Sequence, residues 1–142
     1  MSLSVYRGKQ KKEALAKLPE SGYYWKVVKV GWRGGYFAPL LWQRGYFAPL
    51  LFSVRHEAGW NITKKVYNNA GYALAYHLYR HKRDAERWKG AFCKTYYPYK
   101  IIRCKVEKKD IINIGMQDGY TGAFVIVATR FWCPKPEGER KC

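Results

Sequence analysis

The last third of the chain contains three runs that are rich in β-branched and aromatic residues, and these runs constrain the fold more than any other feature. They occupy residues 99–107 (YKIIRCKVE), 111–114 (IINI) and 122–132 (GAFVIVATRFW). Side chains of these types fit the pleated, half-buried surface of a sheet. Asp110 and the Asp118-Gly119 pair separate the runs and supply turn chemistry. We therefore expect a meander of antiparallel strands.

Shorter patterns earlier in the chain add further strands and two helices. Strand-forming residues occupy 23–30, 60–67 and the second half of 71–80, and helical patterns occupy 9–18 and 81–88. The 142 residues suffice to bury one core without disulfides. We predict a single basic α+β domain over residues 1–133, with a mainly antiparallel or mixed sheet and two short helices. Residues 134–142 are polar and proline-rich, so we expect a disordered tail.

The segment GYFAPLL occurs twice, at residues 35–41 and 45–51, and its seven positions are identical in both copies. Repeat architectures use periods of about 20 to 50 residues in several copies, so this is a local duplication. Pro39 and Pro49 cannot donate to a sheet ladder, which predicts edge strands, bulges or a protruding loop. The apolar side chains either cover the core or form an exposed partner-binding surface. The residues of that possible surface are Tyr36, Phe37, Leu40, Tyr46, Phe47 and Leu50.

The charge balance predicts an anionic partner. The chain carries 27 Lys and Arg against 10 Asp and Glu, a formal net charge of +17. An excess of this size repels itself unless a partner of opposite sign relieves it. Nucleic acid, an acidic protein surface and an anionic membrane would each do so. Charge alone does not choose among them.

One stretch mixes flat rings with cations over a loop that enters a strand. Its residues are Lys94, Tyr96, Tyr97, Tyr99, Lys100, Arg103 and Lys105. Bases stack on rings while cations hold phosphates, so this mixture predicts a binding site for single-stranded RNA or DNA. If the strand begins near Tyr99, the two-residue period places Arg103 and Lys105 on one face with Tyr99 and Ile101. The alternative is a solvated edge whose tyrosines pack on their rings.

Catalytic and metal-binding patterns are sparse, so we predict no catalytic residue, metal or cofactor. Three histidines and ten acidic residues form no HExxH, DxD or GxSxG pattern. His77 and His81 have metal-ligand spacing for a helix, but a strand-to-helix junction between them would separate the rings. An enzyme that transfers nucleotides or cleaves nucleic acid stays an alternative, with Arg7, His77 and Glu107 as its residues.

The cysteines and the absence of targeting patterns favour a reducing cytoplasm. The sequence contains no secretory signal and no apolar stretch of membrane-spanning length. The four cysteines are too widely spaced for a zinc knuckle. They are Cys93, Cys104, Cys133 and Cys142.

Residues 76–115 resemble a pattern of small uncharacterised phage and bacterial proteins. The stretch YHLYRHKRDAERW leads into YKIIRCKVEKKDIINIG. In those proteins an aromatic strand enters a helix with a D-A-E/R-R-W-like core, and a strand ending in D-I-hydrophobic-x-I-G follows. The resemblance implies a compact α+β domain and a viral source. If the protein is encoded by a phage or virus, we expect it in the host cytoplasm.

Three functions remain open at this point. The leading hypothesis is a non-enzymatic protein that contacts nucleic acid, or a nucleic-acid machine, through a surface rich in Tyr, Lys and Arg. The second is a phage- or virus-encoded modulator that docks on an acidic host protein, a transcription or defence component, through the duplicated GYFAPLL segment. The third is the enzyme described above.

Overall fold

The computed structural model describes residues 3–31, 35–37, 55–64, 66–67, 72–92, 99–117 and 122–136. Its two helices are α1 (Gly8–Ala16) and α2 (Lys82–Phe92). Its strands are β1 (Leu3–Val5), β2 (Ser21–Val30), β3 (Tyr36–Phe37), β4 (Arg55–His56), β5 (Gly59–Ile62), β6 (Val66–Tyr67), β7 (Ala73–Leu74), β8 (Tyr76–Tyr79), β9 (Tyr99–Glu107), β10 (Ile111–Gln117), β11 (Phe124–Ala128) and β12 (Arg130–Cys133).

Ten of these strands form one sheet. Its order is β1, β10, β11, β8, β2, β9, β12, β5, while β3 pairs with β2 and β4 pairs with β3. Strands β6 and β7 form a separate pair. Every strand pair in the part of the chain that the structure describes is antiparallel. The chain therefore folds into a mostly antiparallel sheet with two helices, as the sequence predicts.

The predicted meander of the last third is wrong. Strands β10 and β11 are neighbours, but β9 lies between β2 and β12. The long ladder of β9 with β2 runs from Ser21 opposite Glu107 to Lys29 opposite Tyr99. Along this ladder Tyr24 and Val28 of β2 and Ile102, Cys104 and Val106 of β9 are buried on one face of the sheet. The run at residues 122–132 is two strands that are separated at Thr129, whose N–H donates to the Asp110 carbonyl at 3.0 Å.

The sheet is strongly curled, and its main core lies on the concave face. Strands β8 and β12 are three interstrand steps apart in the sheet order, which would be about 14 Å in a flat sheet. The ring centroids of Tyr76 on β8 and Phe131 on β12 are nevertheless 4.7 Å apart. Tyr24, Leu78 and Val106 belong to the same cluster and are fully buried.

A second cluster covers only one part of the convex face. Val27, Tyr79 and Val125 project from this face and pack with Ala85 of α2. Tyr72 and Ala75, which flank β7 in the chain, belong to the same cluster, and β7 pairs with β6. Along the second half of β9 and along β12 and β5, the convex face instead carries exposed and half-buried side chains, described below.

Some sequence expectations shift in position. The predicted strand at residues 60–67 is two strands, β5 and β6, which pair with different neighbours. Pro134, Lys135 and Pro136 follow β12 directly, and the rest of the predicted tail lies outside the described residues. Neither helix in the described ranges is long and apolar enough to span a membrane.

Candidate nucleic-acid interface

A row of rings and a cation crosses four strands on the convex face. Lys105 of β9 lies opposite Tyr23 of β2 on one side and opposite Trp132 of β12 on the other. Trp132 in turn lies opposite Trp60 of β5. Residues that are directly opposite in an antiparallel ladder project from the same face, so these four side chains lie side by side. Tyr23 is 50% exposed, and both tryptophans are 38% exposed.

Two arginines flank this row on opposite sides. Arg103 lies two residues before Lys105 on β9, and Arg130 lies two residues before Trp132 on β12. Because β9 and β12 run in opposite directions, Arg103 lies on one side of the row and Arg130 lies on the other. We call the six residues the outer-face patch. They are Tyr23, Trp60, Arg103, Lys105, Arg130 and Trp132.

Each arginine of the patch lies over a ring. The guanidinium carbon of Arg103 is 4.4 Å from the centroid of the Tyr23 ring, and that of Arg130 is 3.9 Å from Trp60. Arg130 also approaches the Asp110 carboxylate at 3.9 Å. A planar cation over a ring contributes about 0.5 to 1 kcal/mol at an exposed site. These contacts hold flat, positively charged groups in place, and both rings and guanidinium planes can accept a stacked base.

The turn before β5 fixes the position of Trp60. The Asn61 side chain accepts from the Glu57 N–H at 2.9 Å and donates to the Glu57 and Gly59 carbonyls at 2.9 and 3.1 Å. Gly59 has a φ of 93°, a left-handed conformation that favours glycine. The buried Asn61 therefore anchors the strand from inside while Trp60 projects outward.

The predicted nucleic-acid set divides between the patch and other places. Strand β9 begins at Tyr99, so Arg103 and Lys105 share the convex face with Tyr99, as the alternation predicts. Tyr99, however, is half-buried against the second core cluster. Lys100 projects from the other face, where its Nζ is 5.9 Å from the centroid of the Tyr36 ring. Lys94, Tyr96 and Tyr97 lie outside the described residues.

Lys100 and three residues of the outer-face patch line the same open groove, which has a volume of about 410 Å³. It lies between β9 and the chain that follows β12. Tyr23, Arg103 and Trp132 line it together with Lys100 and Lys135. Residues of the predicted set and of the patch therefore share one surface at this edge of β9.

A basic turn extends the positive surface on the other side of β2. Trp25, which lies opposite Arg103, lines a shallow depression with four residues of the turn into α2. These residues are Arg80, His81, Lys82 and Arg83. Cations thus continue from the patch toward α2.

Sequence reasoning missed four residues of the patch: Tyr23, Trp60, Arg130 and Trp132. They come from strands that are far apart along the chain, and the pairing of those strands has no local signal. The alternation of residues 130–133, with Phe131 and Cys133 buried, would have shown that Arg130 and Trp132 share the outward face.

The structure describes only the first two residues of the predicted partner-binding set. Tyr36 is 3% exposed and belongs to the main core, so its ring offers no exposed anchor. The burial of this ring removes Tyr36 from the surface set. Strand β3 is also not an edge strand, since it pairs with β2 on one side and with β4 on the other. Phe37 is half-buried. Leu40, Tyr46, Phe47 and Leu50 lie outside the described residues.

His56 and His77, the two described histidines with shifted pKa values, are buried in the core. Burial lowers the pKa of His77 to about 3, and its ring contacts the Tyr72 hydroxyl at 3.1 Å and the Ala75 carbonyl at 3.0 Å. Burial also holds the pKa of His56 well below its ordinary value. His81 is exposed at the turn before α2. Among the residues that the structure places, no three His, Cys, Asp or Glu side chains form a group that could hold a metal ion.

Comparison of the chain with protein-family models, with curated proteins and with solved structures finds no match.

Proposed function

We propose that the protein binds single-stranded nucleic acid on the outer-face patch. The observation that carries the proposal is the row of Tyr23, Lys105, Trp132 and Trp60, which places three exposed rings and one half-buried cation side by side across four strands. The Trp132 ring and the guanidinium planes that lie over Tyr23 and Trp60 can each take the flat face of a base, while neighbouring cations attract the phosphates between bases.

Single strands fit this surface better than duplexes. A ring on a sheet face stacks only on a base whose own face is exposed, and base pairing in a duplex hides those faces. The contacts are also tolerant of sequence, because every base has a flat face. The patch therefore supports binding of single strands with little sequence preference.

The charge distribution supports an electrostatic share of the binding. Arg103, Lys105 and Arg130 belong to the patch itself, and the basic turn before α2 adjoins it through Trp25. The net charge of +17 adds long-range attraction for a polyanion. Release of counterions from the phosphates then makes the affinity fall steeply with salt.

A binding titration tests the proposal. Purified protein is titrated with single-stranded RNA, single-stranded DNA and duplex DNA at two salt concentrations. We expect tighter binding of the single strands, and a roughly 5- to 150-fold loss for Trp132→Ala, which corresponds to the 1 to 3 kcal/mol of one stacked base. Trp132→Phe keeps a stacking ring and should retain most of the affinity.

Two lysine variants separate the patch from general charge. Lys105→Ala removes a cation of the patch, and Lys12→Ala removes an exposed cation of α1. Both lower the net charge equally, so only Lys105→Ala should weaken binding by more than the general electrostatic effect. Equal losses in the two variants, with no loss in Trp132→Ala, would contradict binding at the patch.

Docking on an acidic protein is the second candidate, and the observation that favours it is Ile62. This side chain is 72% exposed on β5 and lies opposite Arg130. An exposed isoleucine beside a cation suits an apolar pocket with an acidic rim. Ile62→Ser should weaken a protein complex that survives nuclease treatment, and it should leave oligonucleotide binding unchanged.

A further inference from the structure

Two cysteines face each other across neighbouring strands in the core. Strand β12 pairs with β9 through Trp132 opposite Lys105. One step further along this antiparallel register, Cys133 comes opposite Cys104. Both thiols are free, both are fully buried, and both belong to the concave-face cluster.

The spacing of such a pair suits a disulfide. Opposed Cα atoms in an antiparallel ladder are about 4.5 to 5.5 Å apart, and disulfides join Cα atoms that are about 4.4 to 6.8 Å apart. The bond can therefore form without a change of register between β9 and β12.

The surroundings slow the oxidation of the two thiols until the site opens. Burial raises the pKa of Cys104 and raises that of Cys133 to about 11, while the nearby Lys26 ammonium lowers both. Thiols of this kind are poor nucleophiles at neutral pH. Cys133 is the last residue of β12, and strand ends open locally more readily than strand centres. An oxidant should therefore meet Cys133 first.

We propose that Cys104 and Cys133 form a reversible cross-strand disulfide when the protein meets a low-molecular-weight disulfide such as oxidised glutathione. The Cys133 thiolate attacks one sulfur of the oxidant, releases one glutathione thiol and becomes a mixed disulfide. The Cys104 thiolate then attacks the Cys133 sulfur and releases the second glutathione. The protons from both protein thiols end on the two glutathione thiols, so one disulfide is reduced as the other forms.

The bond would tie together the strands that carry the proposed binding residues. Lys105 and Trp132 are the immediate neighbours of the two cysteines and project from the opposite face. The disulfide closes the chain from Cys104 to Cys133, which includes β10 and β11, and restricts the unfolded state. Its formation does not depend on nucleic-acid binding.

The test uses the full chain with Cys93→Ser and Cys142→Ser, which leaves only the opposed pair. This background variant is incubated in the folded state with oxidised glutathione, and its mass and unfolding temperature are measured. We expect a monomer that is lighter by two hydrogen atoms and has no thiol to label in denaturant. Its midpoint of thermal unfolding should rise by roughly 5 to 10 °C, and a reductant should reverse both changes.

Cys104→Ser in the same background is the control, because it can form only a mixed disulfide with glutathione and should show no such rise. If this variant does not fold, the oxidised and reduced forms of the background variant still give the comparison. A folded background variant that keeps both thiols, carries two glutathione groups, or links separate chains would overturn the proposal.

Discussion

The most unusual single residue in the core is Lys26. Its side chain is 6% exposed on the concave face of β2, and its ammonium donates to the His77 carbonyl at 3.0 Å. The same Nζ is 5.9 Å from the centroid of the Phe131 ring. Burial lowers the pKa of Lys26 to about 8, because the charged form loses its hydration. The fold therefore carries a charge whose desolvation opposes folding at neutral pH.

This pKa gives a dependence of stability on pH with a definite sign. The unfolded chain has the ordinary lysine pKa of about 10.5, so between pH 8 and 10.5 the unfolded state binds more protons than the folded state. The contribution of Lys26 to the free energy of unfolding therefore rises with pH in this window, and its cost is fully present below pH 8.

Lys26→Met should remove that cost. We expect the free energy of unfolding at pH 7 to rise by about 1 to 3 kcal/mol, less than the full shift because the His77 carbonyl loses its donor. Tyr24, Tyr76 and both buried cysteines have raised pKa values and act in the opposite direction at high pH. The measurement is therefore the difference between wild type and variant in urea unfolding at pH 7 and 9.5. A variant that is less stable than wild type at pH 7, or an equal difference at the two pH values, would contradict this account.

At the scale of elements, the strands divide into central and edge positions. Strand β8 lies between β11 and β2, and its Leu78 is fully buried, whereas β5 pairs with β12 alone among the strands described and its Ile62 is exposed. Apolar side chains of similar size therefore occupy opposite environments.

Truncation of these two side chains tests the sheet order. Leu78→Ala should lower the free energy of unfolding by about 2 to 5 kcal/mol, because it removes buried area and leaves a cavity. Ile62→Ala should change it by less than about 0.5 kcal/mol, as for most surface substitutions. The two variants are compared by their urea midpoints at equal slope. Similar losses in both would show that β5 is not an exposed edge.

The bounds of the helices and strands can be predicted from the sequence better than the pairing of the strands. Strand β9 has the predicted bounds, and α1 and α2 lie close to theirs, because composition and periodicity act within a few residues. The neighbour of β9 was not predictable in this way, since strand pairing depends on how two distant apolar faces fit. The same limit explains the site: Arg103 and Lys105 share one strand and were predicted, whereas Trp60 and Trp132 meet them only through that pairing.

At the scale of the whole molecule, the curl of the sheet gives it a concave face that holds the main core and a convex face that is partly exposed. The concave face closes over Tyr76 and Phe131 and holds the main core. The convex face is covered beside α2 and exposed along β9, β12 and β5, where the outer-face patch lies. A flexible, single-stranded nucleic acid can run across several β-strands of a convex, basic sheet face that carries exposed rings. We therefore expect two independent effects on the binding affinity: one from the salt concentration and one from substitution of the rings.

Ultraviolet cross-linking to a single-stranded oligonucleotide, followed by peptide mass mapping, tests the central claim most directly. Aromatic side chains stacked on bases are the groups expected to form such bonds, so the account predicts cross-linked peptides that contain Tyr23, Trp60 or Trp132. Trp132→Phe should still cross-link within the patch, and Trp132→Ala should lose the bond at that position. Cross-links confined to peptides that contain none of these three residues would contradict binding on the outer-face patch.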